Sequence, residues 1–325
     1  MRGGEAITIG YWQLSVKVAY TVFRGLPCFY MKRGYGSCPA TCGELVQGCI
    51  GKKEYISSYC VDLYSSAIIS EKKLGKNGFY KRKSKSMQAV AHVFEHFNID
   101  KSELNNIHLS IKSSIPVGKG MASSTADIGA SIMAALDYLG EDMTPEEISK
   151  LVSIIEPTDS IFFPEVCIFD PIHGEKKESL GYIDYKKVLV LEPNARINTV
   201  KIRKEREYYK ILKENKSITQ KSFEMLSEGV KNRDKELIRK ASENSALANE
   251  KIKKTPYLRE LIEIGRKNNY GFLNISHTGT VVGIAIDEKT DVEKIQYEIK
   301  NTVISNIYRK RYIRKIIKGG IRKER

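Results

Sequence analysis

The spacing of apolar residues changes several times along the chain, and each change predicts an element. From Ser37 the sequence becomes strand-like, with β-branched and aromatic residues at Val61, Leu63, Tyr64 and again at Ala67, Ile68 and Ile69. Residues 72–85 are polar and contain glycine, which reads as a loop. Met87, Val90, Ala91, Val93, Phe94 and Phe97 then recur at helical intervals. Ile107, Leu109 and Ile111 alternate with polar residues, the period of a half-buried strand, until residues 116–120 break it. A helix is expected from Ser123 or Ser124, with Ala126, Ala130, Met133, Ala134 and Leu136 on its apolar face and Gly140 as its stop. The next helix has a clear start. Thr144 is the cap, Pro145 opens the first turn, and Glu147 completes a capping box; the helix runs to Ile155.

Short strands are expected at 167–169 and 187–191. After Pro193 the composition shifts to Lys and Glu, with helical spacing in Phe223, Leu226, Val230, Leu237 and Ile238, and Pro256 marks a break between helices. Residues 272–275 and 281–286 read as two strands around a turn of Ser276, His277, Thr278, Gly279 and Thr280. Ile313, Ile316, Ile317 and Ile321 fall partly on one helical face, as in a docked or a surface-binding final helix. This order of elements predicts an α+β chain of two α/β lobes divided near residue 193. The boundaries are an extension at 1–35, an N-terminal lobe at 36–193, a C-terminal lobe at 194–305 and a basic tail at 306–325. No internal repeat is visible.

Composition narrows the class. The 325 residues are 41% hydrophobic and 29% charged, which suits a globular protein with a real core. The formal net charge is +15, concentrated at 72–85, 201–206 and 309–325. A nucleic-acid role would call for aromatics interleaved with base-reading side chains, and no helix-turn-helix, zinc-finger or ribonucleoprotein pattern is present. The excess reads as a solvated surface with a basic tail, so neither nucleic acid nor membrane is expected as a partner. Residues 6–31 are fairly apolar, but Lys17 and Arg24 interrupt them, against the roughly 20 uninterrupted apolar residues of a spanning helix. The natural start is expected near Met31. Of the six cysteines, five crowd into the first sixty residues with no second pair at zinc-finger spacing. They read as reduced, partly buried residues of a cytoplasmic protein.

One stretch carries clear chemistry. Pro116, Val117, Gly118, Lys119, Gly120, Met121, Ala122, Ser123, Ser124 and Thr125 follow a strand and open a helix. Gly118 and Gly120 let backbone N–H groups approach an anion, and the helix start adds unpaired donors and the positive end of its dipole. Ser123 and Ser124 add hydroxyls for phosphate or magnesium. The spacing matches neither a Walker loop nor a dinucleotide fingerprint. The residues alone leave open an anion site or an ordinary glycine loop before a serine-capped helix.

Here a resemblance enters. Pro116, Gly120, Ser123 and Ser124 reproduce the Pro-x-x-x-Gly-x-x-Ser-Ser pattern and resemble the nucleotide-binding motif of the GHMP kinases. Residues 38–48, with Cys38, Pro39, Cys42, Gly43, Glu44 and Gln47, resemble the first GHMP motif, and residues 276–283 resemble the third. The details, including Glu156, Pro157, Thr158 and Asp159, are similar to the subgroup that phosphorylates L-threonine for the nucleotide loop of cobalamin. The resemblance covers residues 37–287 and implies a GHMP kinase fold with the nucleotide site between its lobes. It implies ATP and Mg2+ as cofactors, L-threonine as the small-molecule partner, Ser124 and Glu156 as metal ligands, and Asp159 as the catalytic group at the substrate hydroxyl. Another alcohol, such as homoserine, is the nearest alternative acceptor. A non-catalytic basic RNA- or membrane-associated protein with this fold is the alternative from another class.

The sequence also departs from the larger family. Thr41 stands where a Lys or Arg is common, Leu45 where a His is common, and Lys119 is the nearest replacement cation. Glu44, Thr278 and Gly279 are substrate-side candidates, with Glu44 equally a turn cap. His277 is equally structural or catalytic, and Asp62 faces either the cleft or a strand-end hydrogen bond. Oligomeric state stays open.

Overall fold

The computed structural model describes residues 32–71, 84–195 and 207–323. The N-terminal extension to residue 31, most of the loop at 72–85 and the basic run at 201–206 lie outside them, as does Cys28. The described residues from Arg33 onward form one compact unit.

Two long strands, β1 (Arg33–Ile50) and β2 (Lys53–Glu71), pair antiparallel as a hairpin through the first motif. The sequence pattern shows only pieces of this hairpin. Gly34 and Gly36 begin β1 without side chains to mark a period, yet their bareness is what the packing uses. A Cβ at Gly34 would lie 2.2 Å from the Ala134 carbonyl oxygen, and one at Gly36 2.3 Å from that of Ala130. The helix packed there, α2 (Ser123–Leu139), presents a face of alanines, so strand and helix meet nearly backbone to backbone.

The other early elements follow the predicted pattern. Helix α1 (Lys85–His96) starts at Ser84, whose hydroxyl accepts the Met87 N–H at 3.2 Å, and buries Ala89, Val90, Val93 and Phe94. Strand β3 (Ile107–Ser113) pairs with β2. Helix α3 (Pro145–Ile155) has the full capping box between Thr144 and Glu147. Strands β4 (Val166–Asp170), β5 (Glu175–Gly181) and β6 (Lys187–Glu192) follow. After the composition change come α4 (Tyr208–Glu214), α5 (Lys216–Asn232), α6 (Lys235–Asn249) and α7 (Leu258–Lys267). Strands β7 (Leu273–Ile275) and β8 (Val282–Ile286), helices α8 (Val292–Lys300) and α9 (Ile304–Ile307), and strand β9 (Lys310–Ile317) complete the order.

The sheet runs β1-β7-β8-β6-β9-β2-β4-β5, with β3 also on β2. Because β1 and β2 pair with each other as well, the path from β1 through β7, β8, β6 and β9 to β2 returns to its start. Strand β6 shows why its sequence is an unbroken apolar run: Val188 and Val190 enter one core, while Leu189 and Leu191 enter a second with Leu261, Ile284, Ile295 and Tyr308. Both faces of this strand are covered.

One expectation fails. Ile313, Ile316 and Ile317 lie on a strand, not on a helix, and Ile321 lies beyond it. β9 pairs with β6 over Lys187↔Lys315 to Glu192↔Lys310, and with β2 at Cys60↔Ile317 and Val61↔Ile316. The β-branched residues suit either reading until a partner is known, and the open edges of β6 and β2 decide it. Asp62 lies in the middle of β2, not at a strand end, and accepts the Lys315 N–H of β9 at 2.9 Å. Cys38, Cys42, Cys49, Cys60 and Cys167 are free and buried.

Candidate active site

The glycine loop is shaped as its residues require. Gly118 and Gly120 have φ of +72° and +79°, and Ala122 joins them at φ +58°. A non-glycine residue in the left-handed region costs about 1–2 kcal/mol, and such strain concentrates at functional segments. Alternating left-handed residues turn backbone N–H groups to one side as an anion concavity. Ala122 occupies the N-cap of α2 and supplies no side-chain cap to the first-turn N–H groups.

The third motif closes on this loop. The Lys119 carbonyl accepts Thr280 N–H at 2.8 Å and Val281 N–H at 3.1 Å, and Ser276 Oγ reaches the Gly120 carbonyl at 3.0 Å. A Cβ at Gly279 would sit 2.2 Å from Gly120 Cα, so the two glycines let two backbones touch. The first motif joins from the other direction: Thr41 N–H donates to the Met121 carbonyl at 3.3 Å. Three segments distant in sequence thus meet around one loop.

The carboxylates of residues 156–159 flank it. Glu156 ends α3 in extended geometry, as the following proline demands. Its carboxylate accepts Ser124 Oγ–H at 3.0 Å, lies 3.5 Å from Thr125 Oγ1 and pairs with the Lys85 ammonium. Asp159 is buried and accepts Ser58 Oγ–H and Ser160 N–H, both at 2.7 Å, with Thr41 Oγ1 at 3.4 Å. Burial pushes its carboxyl above the ordinary value, opposed by those hydrogen bonds. Among the described residues, no cluster of three or more His, Cys, Asp or Glu could hold a metal.

The substrate-side candidates converge too. Glu44 sits beside the bulge at Gly43, is buried, and accepts the His277 N–H at 2.5 Å. His277 is itself buried, with Nε2 2.9 Å from the Tyr208 hydroxyl and Nδ1 3.8 Å from Glu54. Thr278 and Gly279 are buried in the turn. Lys119, the nearest replacement cation by sequence, turns its ammonium to the carbonyls of Pro193 and Ala195 and lies 3.9 Å from Glu192, which ties the loop to the end of β6.

Sequence reasoning missed Lys253. It lies in a lysine-rich run that reads as solvated surface, yet its ammonium bonds the Gly279 carbonyl, and burial lowers its pKa to about 8 with Glu44 and Glu250 opposing. Ser58 was also missed, because nothing local marks a strand serine whose partner is 101 residues away.

A glycine loop at a helix start, a hydroxyl–carboxylate pair beside it and a buried aspartate are the kinds of group that phosphoryl transfer employs. The GHMP kinases N terminal domain matches residues 84–163 and the GHMP kinases C terminal domain matches residues 226–305. The chain belongs to the GHMP kinases and is a small-molecule kinase of the ATP-using type, with an alcohol as acceptor. It is 28% identical over 291 residues to an L-threonine kinase of Salmonella typhimurium, covering 88% of this chain and 94% of the relative. It is 27% identical over 292 residues to an L-threonine kinase of Citrobacter freundii, covering 87% and 97%. The homoserine kinase of Cytophaga hutchinsonii shares the fold, with TM-score 0.65 at 13% identity over 90% of this chain and 97% of that one.

Proposed function

We propose that the protein transfers the γ-phosphoryl group of ATP to the hydroxyl of L-threonine, giving O-phospho-L-threonine for the nucleotide loop of cobalamin. The observation that carries the phosphoryl-transfer assignment is the meeting of Ser124, Glu156 and the loop at 116–125 next to a buried Asp159. The choice of threonine rests on the two relatives, each named for that activity and matched over nearly their whole length.

In this reading residues 36–193 and 194–305 form the two walls of the site. The N–H groups of the loop and of the first turn of α2 receive the phosphates, and no side chain need move to supply them. Asp159 accepts the proton of the acceptor hydroxyl or orients that hydroxyl; Ser58 and Thr41 hold the carboxylate still. The lysines at 85 and 253 place positive charge beside Glu156 and Gly279. Magnesium asks for one or two carboxylates with the remaining positions filled by phosphate and water. The Ser124 hydroxyl and Glu156 carboxylate, 3.0 Å apart, fit that demand and would hold it. Once bound, the ion would offset phosphate charge.

The test is ADP release by purified protein with magnesium-ATP and L-threonine, beside L-serine, L-homoserine and a no-acceptor control. Threonine-dependent release above the other acceptors is expected. Preference for another alcohol would move the substrate, and failure to bind ATP would overturn the assignment.

A further inference from the structure

Two buried amides, one on the hairpin and one on the helix packed against it, have bonding capacity left over. Gln47 on β1 is 3% exposed, and neither its Nε2 nor its Oε1 has a hydrogen-bond partner among the described residues. Asn249, the last residue of α6, is also 3% exposed. Its Nδ2 donates to the His277 carbonyl at 3.2 Å, while its Oδ1 has no partner among the described residues. Native interiors rarely leave such groups unbonded, because each carries its full desolvation cost.

The fold brings these amides to one place. Gln47 N–H donates to Ser245 Oγ at 2.9 Å, and Ser245 lies one helical turn before Asn249 on the same face of α6. His277, whose carbonyl takes Asn249, gives its own N–H to Glu44. Gln47 is the cross-strand partner of Ile56, and Glu44 that of Ser58, the residue hydrogen-bonded to Asp159. Ile56 and Ser58 point to the same face of β2, about 7 Å apart at two residues of strand rise. Gln47 therefore lies on the side of the hairpin that carries Ser58 and its partner Asp159, two residues of strand rise along from Ser58.

The open bonding capacity also has a sign. Each amide keeps an open carbonyl oxygen, Gln47 Oε1 and Asn249 Oδ1, beside the free amide nitrogen of Gln47, and the Glu44 carboxylate joins this chain of contacts through His277. A ligand group that donates to both oxygens and carries positive charge suits them and the neighbouring carboxylate. A primary ammonium meets both conditions. We propose that Gln47 and Asn249 form the subsite for the α-ammonium of an amino acid whose hydroxyl lies at Asp159. The inference rests on the acceptor position assigned above, and it names the feature that separates an amino acid from the other alcohols this fold accepts.

The test uses Gln47→Leu, which removes the amide at nearly constant volume, and Asn249→Ala as a second variant. Each is assayed with L-threonine and with 3-hydroxybutyrate, which keeps the hydroxyl and carboxylate but lacks the ammonium. Wild type should prefer L-threonine. Gln47→Leu should raise KM for L-threonine by roughly tenfold or more, leave KM for ATP unchanged and collapse the preference over 3-hydroxybutyrate. Its melting temperature should stay level or rise, because the amide bonds nothing in the free protein. An unchanged KM and preference would overturn the proposal, as would a lowered melting temperature with the preference intact. If wild type instead favours L-serine or L-homoserine, only the substrate of the preceding section moves, and the same comparison is run against the matching hydroxy acid. A wild-type preference for an acceptor without an ammonium would overturn the subsite itself.

Discussion

Adding one methyl group at Gly279 tests whether the contact between the third motif and the glycine loop shapes the nucleotide site. The new Cβ would lie 2.2 Å from Gly120 Cα, 2.4 Å from Gly120 N and 2.3 Å from the Lys119 carbonyl oxygen. Carbon contacts are comfortable at about 3.5–4.0 Å, so the segments must part by about 1 Å or more. All three neighbours are backbone atoms, and no rotamer change relieves the clash. Overpacking of this kind costs about 1–3 kcal/mol. Separation also lengthens the bonds from Thr280 N–H and Val281 N–H to the Lys119 carbonyl. A displacement near 1 Å lowers rates by about 10²-fold. Gly279→Ala should therefore lower kcat/KM for ATP by about two orders of magnitude, with a lower melting temperature, in ADP-release and thermal-melt assays. Gly51→Ala is the control: φ is +63° there but nothing lies within 4 Å of the new carbon. It should cost about 1 kcal/mol of stability and leave KM for ATP unchanged. A Gly279→Ala protein with wild-type melting and wild-type KM for ATP would refute the reasoning.

Asp159→Asn should reduce kcat by about 10²–10⁴-fold with KM for ATP nearly unchanged; near-normal turnover would remove its assigned role. Because burial raises the Asp159 carboxyl, the acidic limb of kcat should fall at a higher pH than an ordinary aspartate gives, and Asp159→Asn should abolish that limb. The same shift gives this residue a stability contribution that is lost as pH rises from the ordinary value through the raised one, since the folded state binds the proton more tightly. Deleting residues 309–325 should give insoluble protein, because it removes β9 from between β6 and β2 and bares two strand edges; a soluble, cooperatively melting deletion would show β9 to be dispensable.

Local chemistry made several elements legible in the amino-acid sequence alone. The start of α3 is written in Thr144, Pro145 and Glu147, and the stop of α2 in Gly140, because caps are satisfied by residues within one turn. The loop at 116–125 is likewise legible, since its glycines and serines prepare backbone donors whatever surrounds them. The family resemblance and the three motifs came from the same short stretches. What stayed hidden depends on partners far away in the chain. Gly34 and Gly36 carry no pattern until the alanines of α2 lie on them, and the last isoleucines suit a helix or a strand until β6 and β2 offer their edges. Lys253 reads as solvent-facing until Gly279 and Glu44 enclose it. Thr41 and Ser58 become the setting of Asp159, and Gln47 and Asn249 a polar pair, only once hairpin, helix and turn have packed. Short-range hydrogen bonds and backbone preference specify which elements form and the shape of the glycine loop; long-range burial decides which side chains meet around it.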